Sequence, residues 1–87
     1  MLSKNQIKLI KSLSQKKHRQ QEELFVVEGI KGINEFLNSE FELVCLYTTK
    51  PIFDVIDDKV ILISDSELKR ISALKNPNTA LAIFYLT

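Results

Sequence analysis

Eighty-seven residues with a mass of 10.0 kDa allow one domain, and a chain of this size buries roughly 64% of its extended surface on folding. A net charge of +1, 45% hydrophobic and 26% charged residues exclude a polybasic tail, an acidic chaperone-like chain and a disordered segment. One cysteine excludes a disulfide framework and a multi-cysteine zinc site.

Ser3 and Gln6 have the spacing of a capping box, and Leu2 and Ile7 that of a hydrophobic staple. Ile7, Ile10 and Leu13 then recur on one helical face, with Lys4, Lys8 and Lys11 together on another. The stretch Gln15 to Gln21 has no apolar period and reads as an exposed loop or a frayed last turn. Leu24-Phe25-Val26-Val27 is a short apolar run, read as a strand buried on both faces. Glu28-Gly29 ends it, and Ile30, Ile33 and Phe36-Leu37 give a helix closed by Asn38-Ser39.

Phe41 to Thr49 is the next strand, stopped by Lys50-Pro51. Ile52-Phe53 and Val55-Ile56 suggest a short helical turn with a packed apolar side. Val60 to Ile63 is a third buried-type strand. Ser64 with Glu67 repeats the capping-box spacing and opens a helix carrying Leu68, Ile71 and Leu74. Lys75-Asn76-Pro77-Asn78 is a loop by composition, and Ala80 to Leu86 is the last strand. Alternation of this kind predicts a small α/β fold: an α-β-α sandwich with a largely parallel sheet. Because the last strand reaches Leu86-Thr87 with no polar tail, the chain is expected to be one domain of a longer protein.

Catalytic machinery is hard to find. Cys45 lies mid-strand between Val44 and Leu46 and reads as a buried, inert thiol. Asp54, Asp57 and Asp58 lack a metal-ligand pattern and read as a solvated turn, so no metal is expected. Ser64 and Ser66 have no base partner, and Gly29 and Gly32 do not make a dinucleotide fingerprint. Gly29-Ile30-Lys31-Gly32 has the form of a GxxG phosphate clamp. The strand before it favours a tight strand-to-helix turn at Gly29 and close helix–sheet packing at Gly32.

Binding is the better-supported role. Residues 1–23 hold six basic side chains against two acidic, a net of +4, while residues 24–87 hold six against nine, a net of −3. Such polarity marks contact with a polyanion, or else a solvated helix face. Lys16, Lys17, His18, Arg19, Gln20 and Gln21 offer donors for phosphates, base edges and 2′-hydroxyls. Lys75-Asn76-Pro77-Asn78-Thr79 is a second donor-rich loop.

Ser14 to Arg19, then Glu22 to Val27, then Glu28-Gly29-Ile30-Lys31 resembles the opening of the SpoU-type RNA 2′-O-ribose methyltransferases. Ile63-Ser64-Asp65, and Asn76-Pro77 ahead of Ala80 to Ile83, resemble the end of the same segment. The resemblance covers essentially the whole chain and is most specific from Lys17 to Gly29. It implies an N-terminal RNA-binding domain, similar in fold to kink-turn-binding ribosomal proteins. In the family a separate knotted domain binds S-adenosylmethionine, transfers the methyl group and forms the homodimer.

That family's catalytic motif has no counterpart here, so residues 1–87 are expected to carry no catalytic residue and bind no cofactor. RNA, ribosomal more than transfer, is the implied partner, with a cytoplasmic location and no membrane contact. Lys17 and Arg19 match the family's basic pair, and Glu28-Gly29 its strand-end turn. Lys31 stands where an arginine is usual, and Asn78-Thr79 where a glycine commonly follows the proline. With Lys16, His18, Gln20, Lys75 and Asn76, these are the candidate RNA-contacting and turn residues. A stand-alone kink-turn RNA-binding protein and a protein-interaction module are the alternative readings.

Overall fold

The computed structural model describes residues 2–55 and 57–86. Four helices and four strands follow one another: α1 (Lys4–Ser12), α2 (Lys16–Glu22), β1 (Leu24–Glu28), α3 (Ile30–Leu37), β2 (Leu43–Thr48), β3 (Val60–Leu62), α4 (Asp65–Ile71) and β4 (Ala80–Tyr85). A 3₁₀ turn, Asp57–Lys59, leads into β3.

The two capping boxes form. Ser3 Oγ accepts from the Gln6 amide at 3.1 Å while Gln6 Oε1 accepts from the Ser3 amide at 2.8 Å. Ser64 and Glu67 repeat the exchange at 3.1 and 3.0 Å. The second carboxylate oxygen of Glu67 also accepts from the Leu2 amide at 3.0 Å. One side chain therefore caps α4 and holds the entry of α1 beside it.

The sheet order is β1-β4-β2-β3. β1, β2 and β3 all point one way, and β4 runs against them between β1 and β2. The expectation of a largely parallel sheet is thus corrected: only β2 and β3 pair in parallel. Apolar runs report burial, not direction, and the crossover through α3 leaves a gap one strand wide that β4 fills. Leu24 to Val27 forms a strand as expected, but β1 lies at a sheet edge and its residues are half-buried rather than buried. It reads as continuously apolar because both its faces are covered: Leu24 and Val26 pack on one side of the sheet, Phe25 and Val27 on the other. β3 is the other edge, and Leu62 is exposed.

One face of the sheet carries α1 and α4 over Tyr47, Leu81 and Ile83. The opposite face carries α3 over Leu46, Ala80, Ala82 and Phe84, with Phe53 and Val55 packed beside it. Phe25, Phe36, Phe41 and Phe84 form a ring cluster there, with centroids 5.2–5.7 Å apart. A β-bulge lies between Leu43 and Cys45, so Val44 and Cys45 pack on the same face. Gly32 lets α3 approach β1, since a Cβ there would stand 3.2 Å from Val27 Cγ1.

Three further expectations change. Gln15–Gln21 is not a loop, because Lys16–Glu22 is helical and ends at Glu23 in the left-handed region, φ 57°. No helix forms over Ile52–Val55: Ile52 is exposed in irregular chain, its amide donating to the Lys50 carbonyl at 2.9 Å, and Ile56 lies outside the described residues. α4 stops at Ile71, which leaves Leu74 exposed.

Gly29 has φ 91° and ψ 150°, a region only glycine occupies readily. Gly29→Ala should destabilise the chain by about 1–3 kcal/mol in urea unfolding; an unchanged midpoint would contradict that backbone conformation. The Glu67 carboxyl is held below its ordinary value, chiefly by the Leu2 amide and then by the Ser64 amide. A carboxylate held low stabilises the fold above its unfolded pKa and loses that effect as pH falls through the folded value. Wild-type stability should therefore decline as pH drops below 4.5, and Glu67→Gln should decline less over the same interval by circular dichroism.

Candidate nucleic-acid interface

Because β1, β2 and β3 run the same way, their ends meet on one side of the sheet. Gly29 follows β1, Thr49-Lys50 follows β2, and Ser64-Asp65 follows β3 shortly after its end. β4 runs oppositely, so the 72–79 segment that feeds it arrives at the same side. This is the side where open α/β sheets seat ligands, beyond the carboxyl ends of the strands.

Glu22, Glu23, Glu40 and Glu42 precede β1 and β2, whereas Lys31, Lys50 and Lys75 follow strands or precede β4. The Leu86 amide donates to the Glu23 carbonyl and the Tyr85 amide to the Glu42 carbonyl, which places those acids at the opposite end from the lysines. Both ends carry the other sign as well: Lys59 precedes β3, and Glu28 and Asp65 lie on the side of the lysines.

The candidate residues separate into three places. Lys16, Lys17 and Gln20 are exposed on α2, and His18 is half-buried there. Arg19 points the other way: its Nη1 donates to the Leu13 carbonyl at 3.1 Å and to the Ser14 carbonyl at 3.0 Å. It therefore caps the carbonyl end of α1, and this contact, rather than an apolar period, is what positions α2. Lys31 is exposed in the first turn of α3. Lys75, Asn76 and Asn78 are exposed in the segment before β4.

Glu28 and Gly29 do more than turn the chain. Glu28 Oε1 accepts from Ser72 Oγ at 2.5 Å, and Oε2 accepts from the Ala73 amide at 2.9 Å. The carboxylate at the end of β1 thus fixes the residues leaving α4. Gly29 stands against Asn78, whose Nδ2 lies 3.6 Å from where a Cβ would be, and its amide donates to the Ala80 carbonyl at 3.0 Å. Thr79 adopts φ 63°, a strained setting for a β-branched residue. Its carbonyl accepts from the Thr49 amide at 3.0 Å and Thr49 Oγ1 at 3.3 Å. The 72–79 segment is therefore tied to β1 at one end and to Thr49 at the other.

Two open grooves border that segment. The first, ≈ 510 Å³, has an apolar floor of Ile10, Leu13, Val26 and Ile71, with Lys11, Arg19 and Glu28 around it. The second, ≈ 430 Å³, lies among Thr49, Lys50, Asp65, Lys69 and Pro77 to Thr79. The sequence reading missed Lys11, Thr49, Lys50, Asp65 and Lys69; only the common direction of three strands brings most of them to the loop. Cys45 is half-buried, and burial pushes its thiol pKa up, away from nucleophilic use. Among the described residues no three His, Cys, Asp or Glu side chains gather as a metal site. No described helix is long and apolar enough to cross a membrane.

Known proteins share this fold. The model of the MRM3-like substrate binding domain matches residues 4–82. An RNA methyltransferase of the TrmH family from Porphyromonas gingivalis is 35% identical, with a TM-score of 0.86, over 99% of this chain and 36% of its own. An rRNA methyltransferase from Sinorhizobium meliloti, solved with AdoMet bound, shares the fold at 24% identity and a TM-score of 0.79, over 100% of this chain and 35% of its own. An RNA 2′-O ribose methyltransferase shares it at 21% identity and a TM-score of 0.77, over 98% of this chain and 36% of its own. A search of curated protein sequences returns no match. The chain spans about a third of the length of these solved methyltransferases. By its match over residues 4–82, the chain belongs to the MRM3-like substrate-binding domain family.

Proposed function

We propose that this chain is the RNA-holding domain of an RNA 2′-O-ribose methyltransferase, and that it supplies affinity and orientation while another domain supplies the chemistry. The observation that carries this reading is the similarity to a TrmH-family RNA methyltransferase over 99% of this chain but 36% of that protein. The collection of Lys31, Lys50, Lys75 and Asn78 at one side of the sheet supports it. Phosphate contacts fix the register and orientation of the nucleic acid. Tethering then raises the effective concentration of the target ribose at the catalytic domain.

Ribosomal RNA is the substrate we infer, in keeping with the rRNA methyltransferase that shares the fold. We assign S-adenosylmethionine, and a homodimer contact, to the domain outside this chain. The groove chemistry supports that assignment for the cofactor. In the first groove Glu28 already accepts from Ser72 and Ala73, which compete with a ribose diol for its oxygens. The second groove is flanked by Lys50 and Lys69, which repel a sulfonium cation. A cytoplasmic location fits a chain whose one cysteine is a free thiol.

The test is RNA binding by fluorescence anisotropy across a salt series. Lys16→Ala with Lys17→Ala should weaken binding and lower the slope of log K against log salt by about 1.4–1.8, the value of two phosphate contacts. Its unfolding midpoint should stay unchanged, because both side chains are exposed. Arg19→Ala should instead lower the unfolding midpoint, since it strips the cap from α1. An unchanged slope in the double variant would remove α2 from the interface, and no RNA binding by the chain would overturn the function itself.

A further inference from the structure

Resting on the RNA-holding reading, we infer that the groove among Thr49-Lys50, α4 and Pro77–Thr79 seats one unpaired nucleotide of the RNA. Its volume, ≈ 430 Å³, lies within the range of small-ligand clefts. A recess of this size admits a splayed-out nucleotide but not a paired helix, and unpaired nucleotides are what proteins read in RNA.

The lining has a part for each portion of a nucleotide. Lys50 and Lys69 are exposed on two of its sides and neutralise phosphate. Pro77, half-buried at the groove's edge, gives the apolar surface against which a base face packs, and the buried Leu68 backs it. Asp65 supplies a carboxylate acceptor and Asn78 an amide for base edges or the 2′-hydroxyl, while the hydroxyls of Thr49 and Thr79, which donate to the Thr79 carbonyl and to Asn78 Oδ1, remain as acceptors. The single carboxylate matters to the choice of ligand. A plain phosphate site would gain nothing from Asp65, whereas a base amino group or ribose hydroxyl donates to it.

The wall is also built before the ligand arrives. Thr79 is held in its strained conformation while its carbonyl takes two hydrogen bonds from Thr49. The side chain of Asn78 rests where Gly29 leaves room for it. Backbone strain of this kind costs about 1–3 kcal/mol and persists only where the surroundings impose it. A fixed wall lowers the ordering cost of binding.

The experiment compares two RNA probes on the 87-residue chain: a hairpin with an open loop, and a blunt duplex with the same stem. The hairpin should bind about tenfold more tightly, the order of effect of one well-seated base. Lys50→Ala with Lys69→Ala should erase that preference and lower the hairpin's salt slope by about 1.4. Asp65→Asn should reduce the preference without changing the slope. Lys16→Ala with Lys17→Ala should weaken both probes alike and leave the preference intact. Equal binding of the two probes by the wild-type chain, or a preference that survives loss of Lys50 and Lys69, overturns the nucleotide seat while the RNA-holding function stands. Absence of binding to either probe overturns both.

Discussion

The sheet has no connected middle until its last strand is in place. β4 is bonded to β1 on one side and to β2 on the other, and Ala80 to Phe84 are almost completely buried. Without it, β1 stands apart from the β2–β3 pair. Ala80 and Ala82 lie beneath the α3 face with Phe84, while Leu81 and Ile83 lie beneath α1 and α4. Both helical layers therefore depend on one strand. Its alternation of small and large residues sets how closely each layer sits. All of its pairings are long-range in sequence, so the loop-closure cost is met before the core forms.

That constraint also creates the binding side. An antiparallel strand inserted among three parallel ones must begin where the others end. The segment that leads into β4 is thereby delivered to Gly29, Thr49 and Asp65, which come from three different elements. Glu28 secures the arrangement by holding Ser72 and Ala73. The strand-end carboxylate is a positioning group for the loop, and the loop carries the donors.

Much of this architecture is legible in the sequence, and the illegible parts have physical causes. Ser3-Gln6 and Ser64-Glu67 are legible because a cap is a local exchange of hydrogen bonds. α2 is hidden because its position comes from one guanidinium on the carbonyls of α1, which leaves no period in the sequence. The place of Leu24–Val27 at a sheet edge is hidden because an edge strand covered on both faces has the same apolar run as a central one. The bulge at Val44 breaks alternation without a glycine to announce it. Of the site, Lys31, Asn76 and Asn78 stand out as donors in loops or turns. Lys50 and Lys69 do not, because an isolated lysine is uninformative until the strand directions are known.

Thr79 links the backbone of the turn to the wall of the polar groove. The resemblance to SpoU-type enzymes leads one to expect a glycine near this point, and the backbone there has the positive φ that glycine tolerates best. A threonine in that conformation costs stability, so its surroundings must hold it. They do so through the two bonds from Thr49, and the same bonds close the wall of the polar groove. The threonine adds a hydroxyl that glycine lacks, which donates to Asn78 Oδ1 at 3.4 Å in the lining of the groove. A departure from the family pattern is thus better read as a change in what the groove can hydrogen-bond than as a defect in the turn.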